Sequence, residues 1–291
     1  MEQKPQIQWF PGHMAKTRRK ISESLKLVDV VTEVIDARIP VSSRNPELDS
    51  LTASKPRLIV LNKADMADPD ATRRWMAYFR AQGFAAMTAD CKTGAGMQKY
   101  VPLLRELLKD KLAAKIEKGI KNPLVRSMVV GIPNVGKSSF INRLTAGGKA
   151  KVEDRPGVTR NNQWFTVDGG VQLLDTPGVL WPKFEDVEVA RHLAFTGAIK
   201  DQILDIEEMA CLLLDTLRVG YPQLLTERYK LKEGDLTEDS WELLQAVGRK
   251  RGMLVRGGEI DTERAAIMLL DEYRSAKIGT LTLEFPEEVR V

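Results

Sequence analysis

The sequence predicts an α/β domain built on a mostly parallel sheet, followed by an all-helical domain. Three observations predict it. Four short, nearly continuous apolar runs, at 30–35, 58–61, 128–130 and 171–174, are rich in Val, Ile or Leu, and each ends in a polar or glycine-containing turn. Helical stretches at 72–82 and 101–118 separate some of these runs, and continuous apolar strands between helices read as a parallel sheet covered on both faces. Beyond Pro182 the apolar runs give way to helical spacing. A length of 291 residues suits two domains. The expected boundaries are a basic segment at 1–19, the α/β domain at 20–182 and the helical domain at 183–291.

In chain order, Trp9-Phe10-Pro11-Gly12-His13-Met14 precedes a helix. Ile21, Leu25 and Val28 fall on one of its faces, with Lys16, Arg19, Lys20 and Lys26 mostly elsewhere. In the tail, Asp205 is a cap residue with Glu208 three positions on, then Met209, Leu213 and Leu217 at helical spacing, then Gly220 and Pro222. Thr237 opens a second tail helix, with Glu238 and Asp239 in its first turn and Gly248 beyond its end. A third runs from about Asp261 to about Tyr273. Residues 280–285 alternate apolar and polar side chains, which predicts one short closing strand. No internal repeat is visible, so a solenoid is not expected.

Composition narrows the function classes. With 43% hydrophobic, 6% aromatic and 29% charged residues, the chain is neither disordered, nor collagen-like, nor a small disulfide scaffold. Its two cysteines, Cys91 and Cys211, are far apart, so neither a zinc site nor a disulfide framework is expected and reduced cytosol is the natural compartment. Charged and polar residues interrupt every early apolar run, and no stretch approaches the roughly 18 apolar residues that span a bilayer. A cytoplasmic chain that does not engage membranes is expected. The net charge of +4 hides an asymmetry: residues 1–183 carry 30 basic against 18 acidic residues, and 184–291 carry 14 against 22. A basic front suggests a polyanion partner, and a solvated charged surface fits charge alone equally well.

The chemistry sits at the strand ends. After the 128–130 strand, Gly131-Ile132-Pro133-Asn134-Val135-Gly136-Lys137-Ser138 fits the phosphate-loop pattern G-x-x-x-x-G-K-[ST]. Its glycines let backbone N–H groups wrap phosphates, Lys137 reaches the β and γ oxygens, and the Ser138 hydroxyl ligates Mg²⁺. Asp175-Thr176-Pro177-Gly178 follows the 171–174 strand. There Asp175 can hold Mg²⁺ through water and the Gly178 N–H can meet a γ-phosphate. Between them Thr159 can complete the metal shell when a γ-phosphate is present. Asn62-Lys63-Ala64-Asp65 follows the 58–61 strand. A carboxylate at Asp65 accepts from guanine N1–H and N2–H₂, whereas adenine lacks that donor pair and would leave the carboxylate unpaired. The Lys63 stem lies across the ring and Asn62 braces the loop.

In this order the motifs resemble a circularly permuted translational-type GTPase, whose guanine-reading motif precedes its phosphate loop. Asp90-Cys91-Lys92-Thr93-Gly94 looks like that family's second guanine loop, Ser-Ala-Lys-x-Gly, with Asp and Cys replacing Ser and Ala, so only its backbone role carries over. Asp36-Ala37-Arg38-Ile39-Pro40 matches a stretch typical of permuted GTPases. The N-terminal Trp-Phe-Pro-Gly-His-Met-Ala-Lys and the tail length most resemble the bacterial ribosome biogenesis GTPase A family, over nearly the whole chain.

The resemblance implies GTP and GDP as substrate and product, Mg²⁺, and an assembly factor of the large ribosomal subunit and its rRNA. Such a factor binds in the GTP state and hydrolyses GTP when the subunit stimulates it, with neither membrane nor DNA as partner, and as a monomer. It also makes Val135, Gly136 and Ser139 nucleotide contacts alongside Lys137 and Ser138. Asn134 is either a K⁺ ligand beside the phosphates, as in related GTPases, or a residue that only shapes the loop. In many GTPases a Gln after Asp-x-x-Gly orients the attacking water; here Val179 and Leu180 follow Gly178 and cannot do so. Slow intrinsic hydrolysis is expected, and a GTP-dependent RNA-binding scaffold with negligible turnover stays open beside the hydrolase. A membrane-associated permuted GTPase finds no amphipathic anchor or lipidation motif here. His13, read as part of a Pro-Gly-His-Met turn, is a candidate for the missing water-orienting group, or else a ribosome contact or turn residue. Lys16, Arg18, Arg19 and Lys20, with Arg249, Lys250 and Arg251, are candidate RNA-phosphate patches or plain helix surface. Trp9 and Phe10 either pack on the sheet or stack on bases, and His192 is structural. Because the chain passes from Gly178 almost directly into the tail, a nucleotide-driven change there can reposition the helical domain.

Overall fold

Seven strands join into one sheet in the computed structural model of the chain, which describes residues 11–145, 152–153, 163–176 and 186–289, with the backbone alone at 11–17, 152–153 and 233. In chain order the first unit runs α1 (Pro11–Leu25), β1 (Val30–Asp36), α2 (Glu47–Thr52), β2 (Arg57–Asn62), α3 (Pro69–Ala81), β3 (Ala85–Ala89), α4 (Tyr100–Leu107) and α5 (Lys109–Glu117). It continues with β4 (Val125–Val130), α6 (Lys137–Thr145), β5 (Val152–Glu153), β6 (Gln163–Val167) and β7 (Val171–Asp175). The strand order is β3-β2-β1-β4-β7-β6-β5. The first five are parallel, and β6 runs antiparallel to both of its neighbours.

The four strands legible as apolar runs are the contiguous interior of this sheet, β2-β1-β4-β7, where helices cover both faces and nearly every side chain is buried. The three that were not foreseen lie outside them. β3 reads Ala-Ala-Met-Thr-Ala, poor in β-branched residues, and β6 carries polar and aromatic side chains where it pairs antiparallel between β7 and the two-residue edge strand β5. The expected helix at 101–118 divides at Leu108 (φ −110°, ψ 14°), whose side chain is buried. Parallel pairing brings the C-terminal ends of β1, β2, β4 and β7 to one edge. Asp36 pairs in register with Asn62, and Asp175 with Val129 just before the phosphate loop.

Two boundaries differ from the sequence expectation. α1 runs unbroken through residue 19, and Ile21, Leu25 and Val28 pack with Val31, Leu48, Met128, Val130, Trp164 and Leu174, so the helix belongs to the sheet unit. His13 lies in the first turn of α1 instead of in a turn ahead of it. At the other end, Glu284–Val291 groups with the first unit and only Asp186–Leu283 forms the second. The returning segment is fixed there by the Trp75 indole, which donates to the Glu284 carbonyl at 2.8 Å, and by Val289 against the Trp75–Phe79 cluster.

The second unit is helical: α7 (Val187–Phe195), α8 (Ile206–Gly220), α9 (Pro222–Tyr229), α10 (Ser240–Lys250) and α11 (Thr262–Arg274). Asp205 caps α8 by accepting from the Glu208 N–H at 3.0 Å, as its spacing predicts. Asp239, expected inside the first turn, is instead the cap of α10 and accepts from the N–H groups of Trp241 and Glu242. Gly248 is not a stop signal. It lies within α10, where a Cβ would stand 2.7 Å from the Ile260 side chain, so its small size serves packing. Residues 280–285 form no strand; the Tyr221 hydroxyl pins them by donating to the Thr282 carbonyl and accepting from its N–H. His192 sits in α7 beside the Phe195 ring. Among the described residues no helix is long and apolar enough to cross a membrane.

Leu213, Leu217, Leu243 and Leu269 are wholly buried at the centre of this unit. Leu217→Ala is expected to destabilise it by about 2–5 kcal/mol, read by urea titration with circular dichroism, and to leave nucleotide affinity unchanged.

Candidate nucleotide-binding site

The phosphate loop begins where β4 ends and turns through two left-handed residues, Asn134 (φ 63°) and Gly136 (φ 91°), before α6 starts at Lys137. Glycine is required twice. A Cβ at Gly131 would stand 2.7 Å from the Val34 carbonyl, and one at Gly136 would stand 2.3 Å from the Asn62 amide nitrogen. The loop and the N-terminus of α6 line a cavity of about 490 Å³ with Lys63, Ile132, Pro133, Asn134, Gly136, Lys137, Ser138 and Ser139. N–H groups at a helix start are a ready receptor for anions. Lys137 forms an ion pair with Asp175, and the Thr176 hydroxyl holds the end of β7 by donating to the Val129 carbonyl at 2.7 Å.

A second cavity, of about 320 Å³, shares Lys63, Gly136 and Ser139 with the first and adds Asn62, Asp65, Met66, Asp90, Cys91 and Lys92. Asn62 joins the two. Its side-chain amide donates to the Val135 carbonyl at 2.7 Å, and its oxygen accepts from the Cys91 thiol at 3.0 Å. Burial and the neighbouring Asp90 carboxylate push the Cys91 thiol up to about 11, so it stays a protonated donor at neutral pH. Asp90 accepts from the N–H groups of Lys92 (2.7 Å) and Thr93 (3.2 Å) and from the Thr93 hydroxyl, shaping the loop that Gly94 (φ 92°) closes. Both side chains therefore act where the resemblance carried over only backbone. The Ala64 N–H donates to the Ala89 carbonyl at 3.2 Å, fastening the Asn62–Asp65 turn to β3. Burial, then the nearby Asp90, raises the Asp65 carboxyl above its ordinary value.

Lys63 sits at the junction of the cavities in the left-handed region (φ 57°), and its ammonium pairs with Asp36 at 2.9 Å. Asp36 is fully buried. Burial alone would raise its carboxyl, but Arg38 and Lys63 overcome that and hold it well below the usual carboxylate range. Arg38 grips it through Nε at 2.9 Å and Nη2 at 2.8 Å. In the sequence, Asp36 and Arg38 stand out only through the resemblance. The signal that could have placed them is that Asp36 ends a parallel strand beside Asn62.

Ser138, in the phosphate cavity, and Asp175, at the end of β7, offer a hydroxyl and a carboxylate, hard oxygen donors that suit Mg²⁺. Among the described residues no three His, Cys, Asp or Glu gather to cage a metal, so phosphate and water would supply the remaining ligands. Thr159 and Gly178 lie outside the described residues, as do Trp9, Phe10, Val179 and the side chain of His13. The basic patches are partly engaged. Arg18 pairs with Glu47 and Arg19 with Glu23, while Lys250 pairs with Asp235 at 3.3 Å. Arg251 meets Glu272 and lies over the Tyr229 ring.

Comparison with known proteins places this geometry. Residues 126–246 match the family described as 50S ribosome-binding GTPase. Ribosome biogenesis GTPase A of Priestia megaterium is 50% identical over 97% of this chain and 98% of its own length. The chain belongs to the ribosome biogenesis GTPase A family. Two solved structures of YlqF share its fold at 28% identity. The GDP-bound TM protein has a TM-score of 0.66 over 93% of this chain and 100% of its own, and the GNP-bound T. maritima protein 0.65 over 94% and 100%. The seven-stranded sheet is thus that of a circularly permuted GTPase domain, with Asn62-Lys63-Ala64-Asp65 at the end of β2 and the phosphate loop after β4.

If Asp65 reads guanine, as its place in the Asn-Lys-x-Asp turn leads one to expect, it accepts N1–H and N2–H₂ only when ionised, and binding then expels a proton wherever the free carboxyl is protonated. GDP affinity is expected to be flat near neutral pH and to fall on acidification, starting above the ordinary carboxylate value of 3.8. Calorimetric titration across that range checks it. Asp65→Asn should remove the acid limb and turn preference toward xanthine nucleotides, whose carbonyl replaces the guanine amine.

Proposed function

We propose that this chain is a GTP hydrolase that acts in the cytoplasm as an assembly factor for the large ribosomal subunit, binding it in the GTP state and hydrolysing GTP when the subunit stimulates it. One observation carries the nucleotide half: a phosphate cavity and a base cavity share Lys63, Gly136 and Ser139, with Lys137 and Ser138 in one and Asp65 in the other. Membership of the ribosome biogenesis GTPase A family supports the ribosomal half.

The residues divide the work. Asp65 admits guanine and rejects adenine, which leaves its carboxylate unpaired. The phosphate-loop N–H groups and Lys137 receive the phosphates, whose oxygens compete with Asp175 for the Lys137 ammonium. Asp175 and Ser138 then serve the metal, and Mg²⁺ when bound neutralises charge developing on the β- and γ-phosphates. Thr159 and Gly178 sense the γ-phosphate, and Asn134 holds K⁺ beside it. Nothing directly after Gly178 orients water, so His13 or the partner does. A regulated switch follows from such a division: a site complete for binding and incomplete for hydrolysis.

Multiple-turnover assays test this reading. GTP turnover is expected to be slow alone and to rise at least about tenfold with large subunits, more in K⁺ than in Na⁺, while ATP is not bound. His13→Ala should bind GTP and subunits normally and lose the stimulation. Subunit binding that depends on GTP with no added turnover would favour a nucleotide-gated scaffold.

A further inference from the structure

The segment that returns from the helical unit begins with a buried carboxylate. Glu284 is 8% exposed, and a carboxylate removed from water is tolerated only where donors meet it. It meets the loop that follows β1. Its oxygens accept from the N–H groups of Val41 and Ser42 and from the Ser42 hydroxyl. Its carbonyl is held from the other side by the Trp75 indole. One residue therefore clamps the outer edge of the loop to α3.

The inner face of the same loop supports the nucleotide site. The Ser43 hydroxyl donates to the Ile39 carbonyl at 2.7 Å and accepts from the Asp36 N–H at 3.0 Å, closing the loop on itself. The Ala37 N–H donates to the Asn62 carbonyl at 2.9 Å. Arg38 is wholly buried and grips Asp36, and Asp36 holds the Lys63 ammonium where the two cavities meet. Lys63 adopts a left-handed backbone that a side chain of its length rarely takes, so its position depends on its neighbours.

We propose that Glu284 is a positioning residue for the nucleotide: it fixes the loop after β1, and through Asp36 and Arg38 it sets the placement of Lys63. The inference rests on the guanine-nucleotide reading above. It gives the C-terminal segment a role in the site, 242 residues along the chain from Ser42. The helical unit, inserted between Glu185 and Glu284, is then joined by chain to the phosphate side of the site beyond β7 and to the support of the guanine side at Glu284.

A double-mutant cycle on the full chain tests this, with the dissociation constant and release rate of fluorescently labelled GDP as readouts. Glu284→Gln keeps the shape and removes the charged acceptor, so GDP affinity is expected to fall about tenfold, mostly through faster release. In a Lys63→Ala background the same change is expected to shift affinity less than about twofold, because the residue through which Glu284 acts is gone. Unaltered affinity in the single variant, or the same loss in both backgrounds, would reduce Glu284 to a fold contact. If Glu284→Gln does not fold, Trp75→Phe, which removes the indole bond and keeps an aromatic ring, goes through the same cycle with the same criteria. An unsubstituted chain that does not bind GDP overturns the guanine reading and this inference together; one that binds GDP normally while the cycle shows no coupling overturns this inference alone.

Discussion

Asn62 is the tie on which the site depends. Its carboxamide spends its donor on the Val135 carbonyl of the phosphate loop and its acceptor on the Cys91 thiol of the second guanine loop. Three loops from β2, β3 and β4 thereby become one surface. Because the amide is buried, losing it strands the groups it joins, at about 1–3 kcal/mol for each buried group left unpaired. The same amide explains Gly136, since any Cβ there would occupy its place. Sequence order is irrelevant to such a tie, which is why a permuted chain can keep the site: what matters is that β2 and β4 both flank β1 and end at the same edge.

Around that tie, the cations of the site are held by the protein's own carboxylates. Lys63 rests on Asp36 and Lys137 on Asp175. Each pair holds its ammonium in place at the mouth of a cavity. The two pairs differ in use. Asp36 is sealed by Arg38 and cannot readily be exchanged, whereas Asp175 is partly open at the strand end, where phosphate and metal can compete for the partners.

Much of this was legible in the sequence, and the limits have physical causes. Interior strands announce themselves because burial on both faces demands continuous apolar residues; β3 does not, since it is an edge strand, and β6 does not, since three of its five side chains are exposed or only partly buried. The phosphate-loop and Asn-Lys-x-Asp patterns stand out in the sequence because each is a run of contiguous residues on a single turn. Contacts between distant side chains were not: Cys91 with Asn62, Lys63 with Asp36, and Glu284 with Ser42 leave no local pattern. Gly248 misled because a glycine chosen for close packing looks the same as one chosen to end a helix. The C-terminal residues misled because alternation signals an extended chain, and an extended chain can be pinned by a Tyr hydroxyl and an indole instead of by a neighbouring strand.

The most direct test is calorimetric titration of GDP into Asn62→Ala beside the unsubstituted chain, with circular dichroism to show that both are folded. If Asn62 holds the base loop against the phosphate loop, GDP affinity falls by at least about tenfold, which is the value of one stranded buried group. A folded Asn62→Ala chain that binds GDP as tightly as the unsubstituted one would contradict the account.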